Sequence, residues 1–99
     1  MNILVINFSL DGISHEDYLN IANELAPVFK EVPGLCSKAW LCDQESNVYG
    51  GIYTFENQKA LDAYCAGELF ASVGSNPNFT NISVKSFRTL EGPTKICNN

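Results

Sequence analysis

The sequence predicts an α+β domain in which four antiparallel strands carry two helices on one face. Three observations lead there. Short β-branched apolar stretches recur at 2–9, 35–43, 48–55 and 81–90, apolar residues at helical spacing fill about 15–31 and the stretch after Asn57, and the resulting order is β-α-β-β-α-β. That order is the split βαβ arrangement of ferredoxin-like folds. With 99 residues the chain is a single domain over 1–99. A hydrophobic fraction of 45% and a charged fraction of 17% suit a packed core and argue against a disordered segment, a fibrous repeat or a coiled coil.

The elements follow in order. In the first strand (NILVINFS), Ile3, Val5 and Ile6 favour strand over helix. Ser14 with Asp17 three residues later reads as a capping box, and Tyr18, Ile21, Ala22, Leu25, Phe29 and Val32 then follow helical spacing. Pro27 removes the hydrogen bond to the Asn23 carbonyl, so a kink or break in the last turn is expected before Pro33-Gly34 stops the helix. Residues 35–43 and 48–55 form a hairpin around the polar Gln44-Glu45-Ser46-Asn47. Asn57 caps a second helix bearing Leu61, Tyr64 and Cys65, which Gly67 interrupts; Leu69, Phe70 and Val73 continue as a short helix or extra turn, and Gly74 to Pro77 is a loop. The last strand spans 81–90, and Gly92-Pro93 opens a polar tail that either docks on a partner or stays disordered.

Six basic against eleven acidic residues give a net charge of −5, which argues against nucleic acid as a partner. No apolar run approaches the roughly 18 residues of a membrane span, and no basic residue precedes Lys30 to make a signal-peptide start, so a cytoplasmic location and no membrane partner are expected. Cys36 and Cys42 sit in one strand, too far apart for a disulfide. No CxxC occurs and His15 is the only histidine, so free, mostly buried thiols and no metal site are expected. The glycosylation-like tripeptides at Asn78 and Asn81 are read as coincidence without a secretory signal.

Strand one is apolar on both sides, with Ile3 and Val5 on one face and Leu4, Ile6 and Phe8 on the other. Two helices cover only one face of such a sheet. A second copy of the same face is the simplest cover for the other, which predicts a homodimer through the sheet faces.

The segment Pro33-Gly34-Leu35-Cys36-Ser37-Lys38-Ala39-Trp40-Leu41, followed by Tyr49-Gly50-Gly51-Ile52-Tyr53-Thr54-Phe55, resembles the YdhR-type monooxygenase family. Ala60-Leu61-Asp62-Ala63-Tyr64, Glu68-Leu69-Phe70, Pro77 and the strand from Asn81 to Glu91, ending near Pro93-Thr94, extend the resemblance over nearly the whole chain. It implies a dimeric α/β barrel, two ferredoxin-like sheets packed face to face, and a cofactor-independent monooxygenase that needs no metal, flavin or haem. A fold alone does not fix a function. Other members of the wider superfamily bind haem, form muconolactone or lack known catalysis, so the alternative is a non-catalytic dimeric module of the same fold that binds a small ligand.

Oxygenation without a cofactor requires an electron-rich phenol, quinol or anthrone-like substrate, an apolar pocket, and hydrogen-bond donors aimed at a developing oxyanion. The candidate catalytic residues are Trp40, Tyr53 and Asn7, and the candidate substrate-binding residues are Lys38, Tyr49, Gly51, Tyr64 and Phe70. If Asp43 pairs with Val48, Lys38 lies opposite Tyr53 and Trp40 opposite Gly51, all on one surface; a slip of one residue reverses that. Gly50-Gly51 inside a strand marks either a bulge or space cleared for a bulky neighbour or ligand. Each aromatic also has a plain packing role. Asn7 is a satisfied core amide or a pocket group, Lys38 either pairs an acid at the dimer surface or presents a cation to an anionic substrate, and Glu68 with Arg88 forms an ion pair or a polar pocket pair. His15, in the first turn beside Glu16 and Asp17, is expected to be a solvated surface group and so a poor haem ligand or base. No serine or cysteine sits in a nucleophile motif, which argues against hydrolase chemistry.

Overall fold

Alternation along the first strand sorts the molecule into two layers. In the computed structural model, which describes residues 1–98, Leu4, Ile6 and Phe8 of β1 (Asn2–Leu10) are buried beneath the helices, while Ile3, Val5 and Asn7 point to the other face and are only half-buried. The remaining elements are α1 (His15–Lys30), β2 (Leu35–Asp43), β3 (Val48–Phe55), α2 (Gln58–Cys65), α3 (Glu68–Ser75), β4 (Phe79–Arg88) and α4 (Glu91–Cys97). The four strands form one antiparallel sheet in the order β2-β3-β1-β4. This is the ferredoxin-like α+β fold, extended by α3 and α4.

The local signals act as their chemistry requires. Ser14 accepts from the Asp17 amide at 3.0 Å while the Asp17 carboxylate accepts from the Ser14 amide at 3.0 Å, closing a reciprocal capping box at the start of α1. Asn57 caps α2 by accepting from the Ala60 amide at 2.8 Å. The hairpin turns at Gln44–Asn47, with Asn47 in the left-handed region at φ 56°. The register is Asp43 with Val48, Trp40 with Gly51 and Lys38 with Tyr53.

Several elements differ from the sequence reading. α1 runs unbroken through Pro27 to Lys30; the proline removes one hydrogen bond, and the packing of Phe29 into the core holds the last turn. α3 continues to Ser75, two residues into the expected loop, and β4 begins at Phe79 because that ring stacks on Phe8 with centroids 4.4 Å apart. The polar tail is helical: the Glu91 carboxylate pairs with the Met1 amino group, and the Thr89 amide donates to the Met1 carbonyl at 2.9 Å, anchoring α4 beside the N-terminus. The thiols are not mostly buried: all four are free, with Cys36, Cys42 and Cys97 exposed and Cys65 half-buried. Glu68 and Arg88 are both exposed and form no ion pair with each other.

The core lies between the sheet and α1–α3, built on Leu4, Ile6, Phe8, Tyr18, Phe29, Tyr49, Tyr53, Phe55, Leu61 and Tyr64. The outer sheet face has no such cover. There Val5 pairs with Ile52 and Ile3 with Phe87, and Ile52 is 37% and Phe87 55% exposed.

Candidate functional site

Parity along β2 and β3 brings Lys38, Trp40, Gly51 and Tyr53 to the helix-facing side of the sheet, and helical spacing brings Phe29 down onto them from α1. The Lys38 Nζ lies 3.2 Å from the centre of the Phe29 ring, 3.4 Å from that of Trp40 and 4.6 Å from that of Tyr53. Phe29 meets Trp40 edge to face, centroids 5.3 Å apart and planes at 87°. The aromatic layer continues through Tyr53 to Tyr64 at 5.3 Å and on to Phe70 at 5.7 Å.

The paired glycines have two different jobs. Gly50 has φ +146°, and a Cβ there would stand 1.8 Å from the Ile6 carbonyl oxygen, so β1 approaches as closely as a bare backbone permits. At Gly51 a Cβ would meet Lys38 Cε at 3.0 Å and Tyr53 Cε1 at 3.2 Å. The missing side chain therefore makes room for the lysine stem and the Tyr53 ring.

Lys38, Trp40 and Phe29 form a wall between two spaces. Outside is an open groove of about 430 Å³ between α1 and β2, bordered by Ala26, Lys30, Leu35 and Cys36. Inside is an apolar cavity of about 30 Å³ under Tyr18, Leu25, Val73 and Phe79, with room for about one water molecule. A third cleft, of about 150 Å³, runs between His15, Tyr18, Leu19 and the other side of Trp40.

Burial pushes the Lys38 amine down to about 7, while the ring faces around it favour its charged form. Burial raises the Tyr18 phenol to about 12 and holds the Tyr53 phenol well above its ordinary value, with the Tyr64 hydroxyl, 3.4 Å away, adding to the latter. Tyr53 and Tyr18 are thus protonated donors at neutral pH, and the groove's readily titrating base is Lys38.

Not every candidate joins this cluster. Asn7 does not enter it: it belongs to the Ile3–Val5 face, pairs with Gly50 and Ser83, and donates from Nδ2 to the Tyr49 carbonyl at 3.3 Å. Its amide is satisfied on the side of the sheet away from Trp40 and Tyr53. Tyr49 is buried on the helix side, but its hydroxyl lies 2.7 Å from His15 Nδ1 and lines the third cleft. His15 is accordingly half-buried and engaged instead of solvated, since the first turn of α1 lies over the sheet. Phe29, a principal wall of the site, was legible only as a core position; nothing in its spacing marks which strand residues it meets. Among the described residues no group of three or more His, Cys, Asp or Glu side chains could hold a metal ion, and no helix is long and apolar enough to cross a membrane.

Sheet order and helix placement define a ferredoxin-like α+β domain with an aromatic-walled groove between α1 and β2. The chain belongs to the family described as "Putative mono-oxygenase ydhR", whose model matches residues 3–99. No curated protein matches it in sequence. Among solved structures it is similar to an antibiotic biosynthesis monooxygenase at 18% identity and TM-score 0.72, over 91% of this chain and 99% of that one. SnoaB, a cofactor-independent oxygenase from Streptomyces nogalater, matches at 16% identity and TM-score 0.71, over 91% and 93% of the two chains. The haem-degrader MhuD from Mycobacterium tuberculosis, with two haems bound in its active site, matches at 16% identity and TM-score 0.72, over 91% and 96%. Identities this low speak for the shared fold.

Proposed function

We propose that this chain is a cofactor-independent monooxygenase that acts, as a cytoplasmic homodimer, on a small phenol, quinol or anthrone-like substrate held in the groove between β2 and α1. The observation that carries the reading is the meeting of Lys38 and Trp40 on the groove wall, with the buried Tyr53 ring directly behind Lys38, in a chain whose family is described as "Putative mono-oxygenase ydhR". In the reaction the substrate loses a proton, and its anion passes an electron to dioxygen. The resulting substrate radical and superoxide combine in a C–O bond and the O–O bond then breaks: one oxygen atom stays as a carbonyl of a quinone product, and the other leaves as water with two hydrogens from the substrate, which supplies all four electrons. The protein's share is to exclude water, stack the ring, and set a proton acceptor and donors where charge develops. Lys38 suits the acceptor and the Trp40 indole N–H a donor; protonated Tyr53, behind Lys38, becomes a second donor once the lysine swings aside, and Gly51, Tyr64 and Phe70 shape the layer around it. Asn7 and Tyr49 act at most through the sheet.

The homodimer is supported by the uncovered outer face with Val5, Ile52 and Phe87. Four free thiols suit a reducing compartment. Haem fits the site poorly: the one imidazole holds Tyr49 through Nδ1, and the cleft beside it, about 150 Å³, falls below the ~300 Å³ at which ligand pockets begin. The small interior cavity favours a second reading, a binding module without turnover, because a ligand reaches the inner wall only by moving Lys38. Oxygen uptake by metal-stripped protein with hydroquinones, dihydroxynaphthalenes and anthrones decides between the two. Uptake lost in Trp40→Phe and Tyr53→Phe supports the enzyme, and binding without uptake supports the module.

A further inference from the structure

The Lys38 ammonium sits in a box of carbon with no counter-charge. The titratable groups that face it are Tyr53 from β3, Tyr18 and Lys30 from α1 and Cys36 from β2, and α3 and β4 present none to the cavity. No carboxylate is among them, and among the described residues Lys38 makes no ion pair. A buried charge is ordinarily paired or hydrogen-bonded; here ring faces at 3.2 and 3.4 Å are what compensates it. The same amine borders the open groove, which is large enough for a bicyclic ligand and whose one other ionic group is the cation Lys30.

We propose that Lys38 makes this groove a receptor for planar aromatic anions, carboxylates or phenolates. The ligand ring takes the lysine's place against Phe29 and Trp40, and the ligand oxygen pairs with the displaced ammonium. In the free protein the lysine is its own stand-in, folded over Gly51 so that the slot stays filled. The proposal rests on reading the groove as the ligand site, and not on any oxygen chemistry. Because burial holds the free amine down to about 7, an anion binds best while the amine is charged, and affinity falls as pH rises through that value.

The test is calorimetric titration of the intact protein with 2-naphthoate and with its neutral counterpart 2-naphthalenemethanol, near pH 6 and near pH 9, on wild type, Lys38→Met and Lys38→Arg. Wild type should prefer the naphthoate by about tenfold near pH 6 and lose most of that preference near pH 9. Lys38→Met should bind the two alike, and Lys38→Arg should keep its preference at both pH values. Equal binding of the two by wild type, binding of neither, or a preference that survives Lys38→Met, which would assign the charge to Lys30, overturns the proposal. Binding needs no oxygen, so a protein that prefers the anion yet consumes no oxygen overturns only the oxygenase reading.

Discussion

His15 Nδ1 and the Tyr49 hydroxyl lie 2.7 Å apart, tying the first turn of α1 to the sheet beside Trp40. A hydrogen bond with one partner buried contributes on the order of 1 kcal/mol, and removing one side leaves the other unsatisfied. Tyr49→Phe and His15→Ala should each lower Tm by about 4–8 °C per kcal/mol lost for a domain of this size. The double variant should cost less than the sum of the two, read in a thermal double-mutant cycle; strict additivity contradicts the bond.

The two adjacent glycines should respond very differently to alanine. Gly50→Ala drives a Cβ to 1.8 Å from the Ile6 carbonyl oxygen in a left-handed conformation, so a loss above about 3 kcal/mol, or failure to fold, is expected. Gly51→Ala meets the flexible Lys38 stem at 3.0 Å, which can move. That variant should fold with a loss below about 1.5 kcal/mol and shift the emission of Trp40, the chain's only tryptophan, as the lysine leaves its box. Denaturant melts and fluorescence spectra read both.

Lys38 gives a pH signature of its own. Its amine titrates near 7 when folded, below its ordinary 10.5. Between those values the unfolded chain binds the extra proton, so this group's contribution to stability rises with pH across that window. Lys38→Met should therefore be the more stable protein near pH 7, with its advantage shrinking as pH approaches 10. A difference that does not change with pH contradicts the burial of the charge.

The outer sheet face should govern assembly. Light scattering at micromolar concentration should give twice the mass of one chain for wild type. Ile52→Asp, at a half-exposed position at the centre of that face, should give the mass of one chain with unchanged far-ultraviolet dichroism. A wild-type mass of one chain contradicts the dimer.

Part of this arrangement was legible in the sequence. Period-two alternation put Lys38 opposite Tyr53 and Trp40 opposite Gly51 only if Asp43 paired with Val48, and the structure has that register, which the sequence left open to a one-residue slip. The same parity sends Asn7 to the far face with Ile3 and Val5; its polarity suggested a pocket, but a backbone carbonyl satisfies it where it stands. Rotamers and interlayer contacts leave no periodic trace. Spacing therefore did not reveal the folding of Lys38 back onto Phe29, the engagement of His15 by Tyr49, or the helical tail that Met1 anchors through Glu91. The glycine pair was recognisable as special, but its division of labour depends on how closely Ile6 and Lys38 approach.

Oxygen uptake by metal-stripped protein across a panel of hydroquinones, dihydroxynaphthalenes and anthrones tests the central claim most directly. The account predicts uptake with at least one class, matched by product carrying one oxygen atom from labelled dioxygen, and reduced by about tenfold or more in Trp40→Phe, Tyr53→Phe and Lys38→Met. Uptake that the three variants leave unchanged, or none across the panel from protein that binds the same compounds in the groove, contradicts it.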